Sequence, residues 1–200
     1  HDKVNVQSLD VDFLVFSAHK IFGPFGFGVL YGKKDLLQKM PPYQFGGSMI
    51  SEVKFEGSTY NDLPFKFEAG TPHVEGAVGT DEALSFFEQY KIEEVFRHEQ
   101  VLMQKALDMF REIPEIKIFG EAQHKAAIIS FNLVGAHHSD VGQILDQMGV
   151  AVRVGHHCTQ PLLRKFNLTG TIRASFSIYN DENDVEKLFL ALQKAKRMLL

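Results

Sequence analysis

Apolar residues follow two rhythms along the chain, and the change falls near Tyr90. Before it, Asp12-Phe13-Leu14-Val15-Phe16 is a short, continuous run of aromatic and branched residues, which predicts a buried strand. Gly23, Pro24, Gly26 and Gly28 then punctuate a turn, and Gly28 to Tyr31 reads as a second strand. A short helix is expected from Lys34 to Lys39, an irregular or hairpin region from Phe45 to Phe67, and a helix from Glu75 to Gln89.

Beyond Tyr90 a helical period takes over. Ile92, Val95, Phe96, Leu102, Ala106, Met109 and Phe110 predict one long helix, stopped by Pro114. The pattern continues as strand (Ile116 to Phe119), strand (Ala126 to Leu133), helix (Ser139 to Met148), strand (Val150 to Arg153), loop and strand (Ile172 to Ile178). A final helix carries Val185, Leu188, Phe189, Leu192, Ala195 and Leu199 on one face. Ser139 is placed to cap the middle helix, and Asn180 or Asp181 the last. This half reads as a compact α+β domain able to fold alone. The first half reads as the later strands of a larger sheet, whose open edge needs a partner.

Composition narrows the class. The chain has 200 residues, 44% hydrophobic and 23% charged, enough for a sizeable core in one large domain or two smaller ones. A net charge of −4, a pI near 6.1 and the absence of a lysine or arginine block argue against nucleic acid and a basic membrane-binding face. No apolar run is long enough to span a bilayer, and the sequence starts at His1 without a signal-peptide pattern, so it reads as a cytoplasmic fragment. Most of the eighteen phenylalanines are assigned to core or dimer-interface packing.

Two segments carry candidate chemistry. Lys20 leaves the first predicted strand at a glycine-rich turn, where a desolvated lysine can act as an amine nucleophile or base, and Ser17 and His19 flank it with donors suited to a phosphate. Taken alone, Lys20 reads equally as a strand-end lysine extended into solvent. The second segment, Arg153-Val154-Gly155-His156-His157-Cys158, holds the only cysteine, so no internal disulfide and no paired-cysteine zinc site can form. Nearby Arg153, His156 and His157 favour a thiolate nucleophile, whereas a small buried hydrophobe is the plainer reading of a lone cysteine.

Together these segments resemble the SUF-type (group II) members of the pyridoxal-phosphate-dependent cysteine desulfurases, in the class V aminotransferase superfamily. Val15 to Pro24 is similar to the cofactor-lysine motif, Gly46-Gly47-Ser48-Met49-Ile50 to the active-site hairpin, and Phe67-Glu68-Ala69-Gly70-Thr71-Pro72 to a cofactor-phosphate segment. Arg153 to Cys158 resembles the catalytic loop, and Ile172-Arg173-Ala174-Ser175 the substrate-carboxylate motif, with Tyr179-Asn180 following it. Phe25, His73 and Val154 depart from the family's usual residues.

The resemblance implies an α/β fold: the C-terminal part of a fold type I large domain (residues 1–90), then a small α+β C-terminal domain (residues 91–200) that includes the long connecting helix. It implies that Lys20 holds pyridoxal phosphate and moves the substrate's α-proton, that Cys158 takes the sulfur as a persulfide, and that His157 is a proton donor or acceptor near the thiol. Arg173 clamps the substrate carboxylate with Arg153 assisting. Ser17, His19 and, across a dimer interface, Thr71 bind the cofactor phosphate. L-cysteine is then the substrate, a SUF-type protein of iron–sulfur cluster assembly the sulfur acceptor, and a homodimer the assembly. Family members are about twice this length, and their acid for the pyridine nitrogen precedes the point matching His1, which leaves the activity of the 200 residues alone open. Other readings are selenocysteine lyase, a cofactor-free cysteine hydrolase or thiol transferase, and a non-catalytic dimerisation or docking fragment.

Overall fold

A computed structural model describes residues 3–200, which divide into two compact units, Lys3–Tyr90 and Lys91–Leu200. In the first, β1 (Phe13–Ser17) pairs antiparallel with β2 (Gly28–Gly32), and a turn of 3-10 helix, Ala18–Lys20, follows β1 directly. The Gly23 N–H donates to the Ala18 carbonyl at 2.9 Å, and a Cβ at position 23 would lie 2.8 Å from that of Ala18, so only glycine fits there. The unit continues through α1 (Lys34–Lys39), a hairpin of β3 (Ile50–Lys54) and β4 (Gly57–Tyr60), a 3-10 turn at Phe65–Phe67, and α2 (Val74–Glu88).

Strand β1 forms where expected but is not buried: Val15 is 72% exposed and Phe13 43%. A two-stranded ribbon cannot cover both faces of its strands, so a run that reads as interior lies on the surface. The phenylalanines follow suit, since only Phe110, Phe131, Phe176 and Phe189 enter the buried core.

The second unit runs α3 (Ile92–Phe110), β5 (Ile116–Phe119), β6 (Ile128–Leu133), α4 (His138–Gln147), β7 (Arg153–Gly155), α5 (Gln160–Lys165), β8 (Thr171–Ser175) and α6 (Glu182–Leu199). Its four strands form one antiparallel sheet in the order β5-β6-β8-β7. Period-two alternation sends Ile129, Phe131, Leu133, Ile172 and Ala174 to one face, where they are buried with Leu102 and Phe110 of α3, Val141 and Leu145 of α4, and Val185 and Leu192 of α6. Phe119, Ser130, Thr171, Arg173 and Arg153 share the opposite face, because Ser130 sits across from both Phe119 and Arg173, and Arg173 across from Arg153.

Three local expectations are corrected. The strand expected at Val150 to Arg153 forms at Arg153–Gly155: the Val150 N–H instead returns to the Leu145 carbonyl to close the turn after α4, and pairing with β8 begins only at Arg153. The loop after Cys158 contains α5, with Pro161 in its first turn, a position where the missing N–H costs nothing. Helix α4 is capped by His137, whose Nδ1 accepts from the Ser139 N–H at 3.4 Å, so Ser139 lies inside the helix. Asp181 caps α6 as one of the two expected residues, exchanging hydrogen bonds with Asp184 in a capping box, while Asn180 accepts from the Ser177 N–H. Among the described residues no helix is long and apolar enough to cross a membrane.

Replacing Phe131, fully buried and in edge contact with Phe110 at 4.8 Å between ring centroids, by alanine should destabilise the second unit by about 3–5 kcal/mol. Asp181→Ala should cost about 1 kcal/mol. Urea denaturation of both variants measures the two values.

Candidate active site

The candidate residues fall into two sets, one in each unit. In Lys3–Tyr90, Lys20 ends the 3-10 turn; it is exposed, and its amine has no ion pair or hydrogen bond to the described residues. Ser17 closes β1 just before that turn. His19 stacks on Phe25, with centroids 5.3 Å apart and planes 23° from parallel. Thr71 is exposed and follows Gly70, whose positive φ of 85° suits glycine and whose N–H donates to the Gly47 carbonyl at 2.8 Å. The Gly46-Gly47 segment and the Thr71 segment are thereby fixed to each other.

A second link ties Thr71's neighbours to the lysine turn. The Phe27 carbonyl accepts from the Ala18 N–H at 3.0 Å, and the Phe27 ring meets His73 edge-on at 6.0 Å. Both residues press on Gly76 of α2, where any Cβ would lie 2.7 Å from each ring. Phe25 and His73, departures from the pattern that the sequence resembles, both make ring contacts within this set.

In Lys91–Leu200 the structure brings together Arg153, His157, Cys158 and Arg173. Cys158 is exposed at the apex of the loop after β7, and Arg153 Nη2 lies 3.9 Å from its Sγ. Nε2 of His157 is 3.0 Å from Thr171 Oγ1 and 3.1 Å from the Thr171 carbonyl oxygen. Arg153 and Arg173 face each other across β7 and β8, an arrangement of like charges that is unfavourable until an anion lies between or beside them. Arg173 Nε is buried and without an acceptor among the described residues, which marks the same need. A cavity of about 460 Å³ opens on this face, walled by Phe119, Leu162 and Phe166 and floored by Ser130, Thr171 and Arg173.

Burial pushes the His157 imidazole below its ordinary pKa of 6.5, and the positive charges of Arg173 and Arg153 add to that, against the Thr171 carbonyl bond. His138, at the start of α4, is lowered by burial first and then by His137 and His157. Thr171, Ser130, Phe119 and Phe166 carried no recognisable signal in the sequence. Thr171 could have been found only from its place two residues before Arg173, on the same strand face. Among the described residues no cluster of His, Cys, Asp or Glu could hold a metal ion.

Residues 1–188 match the aminotransferase class-V family. A cysteine desulfurase of Serratia proteamaculans is 45% identical over 201 aligned residues, which take in 100% of this chain and 49% of the relative; one from Klebsiella pneumoniae is 46% identical with the same coverage. The chain thus spans about half the length of the curated relatives it matches. Among solved structures it is similar to the cysteine desulfurase CsdA of Escherichia coli, with TM-score 0.93 and 42% identity over 98% of this chain and 48% of that one. The apo cysteine desulfurase of Thermococcus onnurineus gives TM-score 0.91 and 35% identity over 96% of this chain and 49% of that one.

The histidine shifts make a stability prediction. His157 and His138 bind protons more weakly folded than unfolded, so between the lowered folded values and 6.5 the unfolded chain holds more protons. Stability should therefore fall as pH drops through 6.5 and level off below the folded values. Urea midpoints across this range test the sign, and His138→Gln with His157→Gln should reduce the slope.

Proposed function

The chain belongs to the class V aminotransferase family, and on that footing we propose that it is the portion of a pyridoxal-phosphate-dependent cysteine desulfurase bearing the cofactor lysine and the persulfide cysteine. Lys3–Tyr90 is then the C-terminal portion of the cofactor-binding large domain, and Lys91–Leu200 the small domain with its connecting helix. The observation that carries the reading is the exposed Cys158 thiol next to Arg153, on a sheet face where Arg153 and Arg173 stand opposite one another. Such a face suits a small substrate that has both a carboxylate and a sulfur.

The first set of residues fits the cofactor. The exposed primary amine of Lys20, without a partner among the described residues, suits an aldehyde, and the Ser17, His19 and Thr71 side chains supply donors for a phosphate. When bound, pyridoxal phosphate supplies an electron sink that makes the α-carbon of an amino acid acidic. Lys20 would hold the cofactor, and its free amine would move the α-proton of L-cysteine. Arg173 grips the substrate carboxylate with its two-pronged guanidinium, a fit that lysine cannot copy, and Arg153 assists. The Cys158 thiolate then forms a bond to the substrate sulfur as the carbon–sulfur bond breaks. The carbon keeps the electron pair and takes up a proton, so the products are alanine and a persulfide on Cys158. Arg153, 3.9 Å from Sγ, faces the negative charge on that sulfur.

Downstream, the reading places the terminal sulfur on a SUF-type acceptor protein of iron–sulfur cluster assembly, in the cytoplasm, with Thr71 serving the cofactor of the second copy in a homodimer. The protein is incubated with pyridoxal phosphate, reduced with borohydride and mapped by peptide mass, then assayed for alanine and persulfide from L-cysteine. Covalent cofactor is expected at Lys20. Cys158→Ala should keep the cofactor and lose the persulfide, Lys20→Ala should lose covalent attachment, and Arg173→Lys should raise KM for cysteine by about tenfold or more. Cofactor retained covalently in Lys20→Ala would sink the assignment, and a parallel assay with L-selenocysteine distinguishes the two substrates.

A further inference from the structure

We infer that His157 is a positioning residue: its hydrogen bond to Thr171 pins the Cys158 loop in the conformation that presents the thiol to Arg153. The inference rests on the reading of Cys158 as the reacting thiol, and it gives His157 a different task from the proton donor or acceptor expected from the sequence.

The backbone of this loop is not one the chain adopts freely. Gly155 has φ of 112°, and His157 and Cys158 follow at 49° and 62°. Two successive side-chain-bearing residues in the left-handed region are strained, so surrounding contacts must hold them there. On one side, Thr159 closes a turn by donating both its N–H and its hydroxyl to the His156 carbonyl, at 2.8 and 2.9 Å. On the other, the His157 ring turns inward onto Thr171, a residue only 3% exposed that pairs with Gly155 in the register of β7 and β8. The loop is thus fastened at its entry strand and at its exit, with Cys158 between the two fastenings.

The protons on the ring follow from its partners. A carbonyl oxygen can only accept, so the contact with the Thr171 carbonyl assigns the hydrogen to Nε2, with the Thr171 hydroxyl oxygen as a second acceptor. Four charged or titratable neighbours oppose a second proton: Arg173 on β8, Arg153 on β7, His156 beside it, and His138 at the start of α4. Nδ1 is therefore a bare nitrogen, buried and without a hydrogen-bond partner among the described residues. A ring whose one proton is committed to a buried strand, and whose free nitrogen is closed off from solvent, has no proton to exchange with an exposed thiol. The group near the thiol is Arg153.

The test uses the whole chain without cofactor, where Cys158 is the only cysteine and alkylation by iodoacetamide reports on it alone. Glutamine places an N–H where Nε2 stands, so His157→Gln and Thr171→Ser should keep the alkylation rate, its pH profile and the amide exchange of residues 155–159 within about twofold of the parent. His157→Ala should speed exchange in that loop by about tenfold, the loss of one hydrogen bond of about 1.4 kcal/mol, while α3 and α6 stay protected. Nitrogen chemical shifts of the parent should show His157 neutral and protonated on Nε2. A glutamine variant that shifts the pH profile as alanine does, an alanine variant with unchanged loop exchange, or a ring protonated on Nδ1 each overturns the inference. If alanine loosens the whole unit, the ring tautomer of the parent decides by itself. None of these readouts involves sulfur transfer, so a chain that passes them and forms no persulfide refutes the desulfurase reading alone.

Discussion

The pairing of β7 with β8 is the constraint on which the second unit's chemistry depends. It sets Arg153 opposite Arg173, Val154 opposite Ile172 and Gly155 opposite Thr171. Through the pleat, Ile172 then points into the core and both arginines point away from it. A one-residue slip of β7 would send Arg153 towards α4, where a Cβ on Gly142 would already meet Val154, while Arg173 is held by the pairing of β8 with β6. Register is therefore enforced by the apolar face, and the polar face inherits its geometry.

The arrangement also explains why Cys158 can be exposed on a strained loop without that loop drifting. The apolar side of the sheet is anchored by fully buried Ile129, Phe131 and Ile172, so the strand bearing Thr171 is stiff. Contacts made to that strand transmit its rigidity to the loop. The exposed thiol of Cys158 lies 3.9 Å from the Arg153 guanidinium.

The first unit works on a different principle. It has few fully buried side chains, and its candidate residues are held by close backbone approach and ring contacts: Gly23 against Ala18, Gly70 onto Gly47, His19 on Phe25, and His73 on Phe27. Glycine at positions 23 and 70 is required by contact and by φ respectively, which is why these segments read as motifs at all.

The sequence by itself determined most of the elements, because helices such as α3 and α6 advertise one apolar stripe and β6 alternates with period two. It also determined the family, since Lys20, Thr71, Cys158 and Arg173 sit in ordered local motifs whose match extends over residues 1–188. Tertiary structure alone decided how those elements pair. That β8 lies between β6 and β7 is a long-range choice which no local period encodes, and it moved the expected strand at Val150 to Arg153 onto Arg153–Gly155. The same choice made Thr171, a residue without a signal of its own, the anchor of His157. It also decided that β1, apolar enough to read as interior, lies open in the described residues, because burial depends on what else the sheet contains and not on the strand's own side chains.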